Sequence, residues 1–110
     1  MGREQHMTEI SNILIATDLS ERSDRAMARA VKLAADHGAR LTAISVVDNA
    51  MPEDLIAPLQ GRVADRLAAI PAHLGVEVNF DPVVVSGEPT GTILTEVANR
   101  SPDLLVLGTH

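Results

Sequence analysis

The chain has 110 residues, 45% of them apolar, a net charge of −6, no cysteine and one aromatic residue, Phe80. This length suits one domain with an aliphatic core, and the absence of cysteine excludes disulfides and thiolate chemistry. The acidic balance, with bases interspersed, argues against a nucleic-acid or anionic-membrane surface.

No apolar run approaches the roughly 20 residues of a membrane span, and no secretory signal is evident, so a cytoplasmic protein is expected. The opening MGREQHM is polar and aperiodic. Residues 1–10 are expected to be flexible or partly tag-derived, with Met7 as an alternative natural start.

Asn12 to Thr17 reads as a buried strand, since Ile13 to Ala16 are apolar and rich in β-formers. Ser20 or Ser23 can cap the next helix. That helix carries Met27, Ala30, Val31 and Ala34 on one stripe and Arg22, Arg25, Arg29 and Lys32 on the wet side. Gly38 ends it where a left-handed residue is cheap. Arg40 to Asp48 is a second strand. Leu55, Leu59, Val63 and Leu67 then recur at a helical interval. Pro58 and Gly61 predict a loose start, with a firm helix from about Leu59, and Pro71 a kink at its end. Val76 to Val85 reads as a third strand. A helix with Pro89 in its first turn follows, with Ile93, Leu94, Val97 and Ala98 inward. Leu104 to Leu107 is a fourth strand.

The order βαβαβαβ predicts an α/β fold: an open parallel sheet of about four strands, flanked by helices and joined by right-handed crossovers. Such sheets bind ligands beyond the carboxyl ends of their strands, where strand order reverses. With the first and fourth strands adjacent, Asp18 and Gly108 face each other there. Two readings stand on spacing alone. Asp18 accepts hydrogen bonds from an adenine amino group or a ribose hydroxyl, and Gly108 lets a ligand approach the backbone. Alternatively, Asp18 belongs to the turn that opens the helix and Gly108 is a turn residue, which is the more ordinary outcome.

Gly87 to Gly91 (GEPTG) fits neither a phosphate loop nor a dinucleotide turn and reads as a strand-to-helix turn, although the helix N-terminus behind it can attract an anion. His6, His37, His73 and His110 have no metal-ligand spacing. A phospho-accepting receiver domain fails on residues, because the third strand ends in Ser86-Gly87 and the only lysine is Lys32.

Three stretches together resemble the universal stress protein family: ILIATDLSERSDRAMARAVKLAADHGARL, AISVVD and VSGEPTGTILTEVANRSPDLLVLGTH. The resemblance runs from about Ile13 to His110. It implies an adenine nucleotide α-hydrolase-like sheet, usually five-stranded and homodimeric, with ATP at the carboxyl edge in nucleotide-binding members. By that resemblance Ala16, Thr17 and Asp18 contact the adenine side, Val46 lines the base pocket, and Leu107 and Gly108 lie beside the ribose. The Gly87 to Pro89 turn lies beside that pocket, with no contact assigned.

One departure is large. The family's glycine-rich phosphate loop, G-x2-G-x9-G-[ST], would have all but its first glycine after His110, and a helix and fifth strand would follow. The expectation is a single, C-terminally truncated domain that keeps the adenine and ribose half of the site. Phosphates need compensating donors, so ATP binding is expected to be weak. The fourth strand becomes an apolar edge and is expected to pair with another copy. The alternative function is a non-nucleotide, dimeric interaction module of the same family. No catalytic residues are assigned, because no general base or metal cluster is evident.

Overall fold

The computed structural model describes residues 10–108. Strand β1 spans Asn12–Thr17, helix α1 Glu21–His37, and strand β2 Arg40–Asp48. Helices α2 (Glu53–Ala68) and α3 (Ile70–Leu74) follow, then strand β3 (Asn79–Gly87), helix α4 (Pro89–Arg100) and strand β4 (Leu104–Gly108). The four strands form one sheet in the order β3-β2-β1-β4, and every pairing is parallel. The chain therefore steps outward from β1 to β3, then crosses back to the far side of β1.

The core explains why β1 is so apolar. Ile13, Leu14, Ile15 and Ala16 are essentially inaccessible to solvent. Ile13 and Ile15 join Leu41 and Ala43 of β2 beneath Met27, Ala30, Val31 and Ala34 of α1 and Leu67 of α2. The expected stripe of α1 is thus the one that packs. Gly38 closes the helix at φ 63°, and its backbone N–H and that of Ala39 reach back to the Ala35 and Ala34 carbonyls. Helix α4 packs on β2 and β3. A right-handed return crossover puts it on the opposite face of the sheet from α1 and α2.

Several boundaries differ from the sequence reading. Helix α2 begins at Glu53, not near Leu59, and runs through Pro58. Pro58 is the sixth residue of the helix and removes one internal N–H donor, but the turns on either side sustain the helix cooperatively. Where a kink was expected near Pro71 the helix is interrupted, since α2 ends at Ala68 and α3 restarts at Ile70. Strand β3 begins at Asn79 rather than Val76. Val76 and Val78 still pack against the core, but from the connecting segment. In α4, Ile93 and Val97 are half-buried, whereas Leu94 is 63% exposed and Ala98 is also exposed. Leu55 of α2 is likewise exposed. Periodicity shows which residues share a face, not whether anything covers it.

The two sheet edges contrast. The β3 edge carries Pro82, which cannot donate to a further strand, and Asp81, paired to Arg40 at 3.3 Å. The β4 edge carries only Leu104, Leu105, Val106, Leu107 and Gly108.

A clamp sets the register between β1 and β4. Asp103 Oδ2 accepts from the Ser11 N–H (3.0 Å), the Ser11 hydroxyl (3.1 Å) and the Asn12 N–H (3.0 Å). The Asp103 N–H donates to the Asn12 carbonyl at 2.8 Å. These bonds from the Ser11 backbone, the Ser11 hydroxyl and the Asn12 backbone hold the Asp103 carboxyl below its ordinary value of 3.8. A depressed carboxyl contributes stability above its unfolded value and loses it as pH falls through the folded one. Asp103→Asn is therefore expected to melt earlier than the parent at neutral pH. The gap should close as pH drops below 3.8, which thermal melts across an acid series would read.

Candidate functional site at the carboxyl edge

The register brings four of the predicted residues together. Ala16 lies opposite Leu107, and Thr17 opposite Gly108, across the β1–β4 pairing. On the other side Ala16 faces Ile44, and β2 continues past the end of β1 through Val46 to Asp48. Asp18 is the first residue beyond β1. All six predicted residues therefore lie at the carboxyl edge, where the neighbours of β1 run to opposite sides of the sheet. Thr109 and His110 lie outside the described residues.

The turn after β1 is tied together by a relay of hydrogen bonds. The Leu19 N–H donates to Thr17 Oγ1 (3.0 Å), the Thr17 hydroxyl to Ser23 Oγ (3.0 Å), and the Ser23 hydroxyl to the Ser20 carbonyl (2.8 Å). Both Thr17 and Ser23 are buried, so this relay satisfies two hydroxyls that would otherwise be costly. Ser20 occupies the N-cap position of α1 with no side-chain cap bond, and Ser23 lies inside the helix. Neither serine caps in the usual manner; Ser23 ties the helix to the strand instead. Sequence reasoning missed it, since serine at that spacing reads only as a cap.

Asp18 is exposed, and its Oδ1 accepts from the Ser20 N–H at 2.9 Å. Hydrogen bonds from the Ser20 hydroxyl and then its backbone hold the carboxyl below its ordinary value. Asp18 thus both shapes the turn and stays ionised, with oxygen lone pairs facing solvent. The two sequence readings of this residue are compatible.

Gly108 is not a turn residue. It is buried at the end of β4, paired with Thr17. A Cβ there would lie 3.1 Å from the Ala16 carbonyl oxygen and 3.2 Å from Ser23 Cβ. The glycine is required by close packing of β4 against β1 and α1. Leu107, by contrast, is 60% exposed, and Val46 is half-buried.

The GEPTG turn does not offer an anion site. Glu88 is the N-cap of α4, and its carboxylate already takes the Gly91 N–H (2.6 Å) and the Thr90 N–H (3.1 Å). The protein's own carboxylate holds the donors that a phosphate would use. His37 and His73 sit in the last turns of α1 and α3, and no cluster of metal-binding side chains occurs among the described residues.

The sequence model of the universal stress protein family matches residues 9–110. The chain belongs to the universal stress protein family. Solved relatives agree in fold. The chain is similar to the universal stress protein UspA from Lactobacillus plantarum, with TM-score 0.80 and 24% identity over 90% of this chain and 77% of that one. A protein of the family from Burkholderia pseudomallei aligns with TM-score 0.70 and 30% identity over 94% of this chain and 84% of that one. A universal stress protein solved in complex with cAMP aligns with TM-score 0.70 and 19% identity over 89% of this chain and 75% of that one. No curated protein matches the chain.

Two substitutions test this geometry. Ser23→Ala leaves the buried Thr17 hydroxyl without its acceptor and should cost about 1–3 kcal/mol in denaturant unfolding. Gly108→Ala forces Ser23 or the Ala16 carbonyl to yield and should cost about 1–2 kcal/mol. If either variant unfolds like the parent, the tight junction of β1, β4 and α1 is misdescribed.

Proposed function

We propose that this member of the family is a stress-response protein whose carboxyl edge binds the adenosine part of an adenine nucleotide. The observation that carries the reading is the convergence of Ala16, Asp18, Val46 and Gly108 where β1 and β4 end side by side. An ionised carboxylate beside the strand end is an acceptor for an adenine amino group or a ribose hydroxyl. The half-buried Val46 supplies an apolar surface for the base. The relative solved with cAMP supports an adenine nucleotide as the ligand class.

The phosphates have no comparable support. The N-terminal donors of α4 are taken by Glu88, so that helix end adds little for ATP over adenosine. Binding rather than catalysis is the proposed role. A general base works best with a pKa near the operating pH, and the Ser20 hydrogen bonds hold Asp18 far on the acidic side of that range.

Calorimetric titration with adenosine, AMP and ATP tests this directly. The three should bind with affinities within about tenfold of one another, in the absence of strong phosphate contacts. Asp18→Ala should weaken all three together. ATP binding far tighter than adenosine, or an Asp18→Ala chain that binds as before, would overturn the reading.

A specific observation also favours the alternative reading, a dimeric interaction module that binds no nucleotide. Leu105 (38%) and Leu107 (60%) are exposed on an edge strand without charge or proline. We propose that β4 pairs with β4 of a second copy, continuing the sheet across a homodimer. Light scattering should then find a dimer that Leu107→Lys dissociates. A parent chain that stays monomeric at high concentration would remove this proposal.

A further inference from the structure

A cleft of about 460 Å³ opens on the α1 side of the sheet, away from the exposed Leu107, and Thr17 is the only residue of the predicted site that lines it. Its size is within the range of small-molecule sites, which span ~300–1,000 Å³. Leu19, Met27, Ile70 and Leu74 give it an apolar lining, while Asp24 stands on α1 and Arg66 and His73 on the α2–α3 side. These three polar residues are solvent-exposed and have no hydrogen-bond or ion-pair partner among the described residues.

Helix ends explain part of this. Arg66 and His73 lie in the last turns of α2 and α3, where cations suit the dipole. That preference does not explain why both border an apolar hollow. Both line the cleft from either side of the α2–α3 junction, together with Ala69 and Ile70.

Leu19, in the turn that also carries Asp18, borders the cleft. It is a bulky residue at φ 62°, in the left-handed region that such residues avoid. The Leu19 N–H is held by Thr17 Oγ1, and the next N–H by Asp18 Oδ1. Strain of this kind persists where the surrounding structure over-determines it, and it concentrates at ligand sites. Here it accompanies a leucine side chain that borders the cleft.

We propose that this cleft binds a small amphipathic carboxylate. The apolar body lies among Leu19, Met27, Ile70 and Leu74, and the carboxylate meets the Arg66 guanidinium with His73 beside it. A planar guanidinium suits a carboxylate, with two parallel donors. Asp24 on the facing wall disfavours a second negative charge and suits the ammonium of an apolar α-amino acid. The shared chemistry is thus a carboxylate on an apolar body, whether a simple alkanoate or an amino-acid zwitterion.

The test is titration of the isotope-labelled chain, followed by two-dimensional NMR, with hexanoate, leucine, hexanol and hexylamine. Saturable shifts at Leu19, Met27 and Ile70 are expected with hexanoate or leucine at concentrations about tenfold or more below those needed for hexanol or hexylamine. Leucine binding above hexanoate assigns the zwitterion, and the reverse assigns the alkanoate. Arg66 is exposed, so Arg66→Gln should keep the parent spectrum and weaken the carboxylates about tenfold, the scale of one charge-assisted hydrogen bond. Ala69→Trp, which fills the groove between Arg66 and His73, should abolish binding. Equal binding of hexanol, an unaltered Arg66→Gln affinity, or no saturable shift with any carboxylate would overturn the proposal. Adenosine titrated into the Ala69→Trp chain separates the two sites, because nucleotide binding should survive there.

Discussion

Strand β1 is paired on both sides, to β2 and to β4, and covered on both faces, so its four central side chains never meet water. Parallel strands buried in this way cannot alternate polar with apolar residues. The same double pairing creates the geometry of the proposed site. The chain leaves β1 toward β2 on one side and returns to β4 on the other, so the two connections diverge above β1 and leave its carboxyl end accessible. Asp18 stands in that opening because β1 ends there.

Two polar devices fix the ends of β1, and neither resembles a conventional motif. At the amino end, Asp103 gathers three donors from Ser11 and Asn12. At the carboxyl end, the Thr17–Ser23–Ser20 relay binds strand to helix, and Gly108 allows β4 to approach both. The result is a pre-shaped turn in which Asp18 is already ionised and already oriented. Pre-organisation of this kind lowers the cost of ordering a site when a ligand arrives. The opposite face of the sheet is less complete, with Leu94, Leu105 and Leu107 exposed.

The element order was legible because each signal was local. Apolar β-rich runs marked the strands, Met27 to Ala34 marked the inward stripe of α1, and Gly38 marked its end. The placement of Asp18 near Gly108 was legible through topology, since it needs only that the first and fourth strands be neighbours. What escaped depended on partners distant in sequence. The Asp103 clamp joins residues about ninety apart. The packing role of Gly108 depends on Ser23 and Ala16. The Glu88 cap is local, yet a glutamate before proline gave no sign that it would occupy the donors of α4 itself. Pro58 was over-weighted, because one lost hydrogen bond near a helix start does not outweigh the turns that follow. The cleft between α1 and the α2–α3 junction had no sequence signature at all, since its walls come from separate helices.

The central claim is that the carboxyl edge of β1, and not another surface, receives the adenosine part of a nucleotide. Mapping amide shifts during an adenosine titration tests it most directly. The account predicts that the Asp18, Val46 and Gly108 signals move together along one saturable curve, while Arg66 and His73 stay in place. Shifts confined to the α1–α3 cleft, or spread without saturation over the chain, would contradict it.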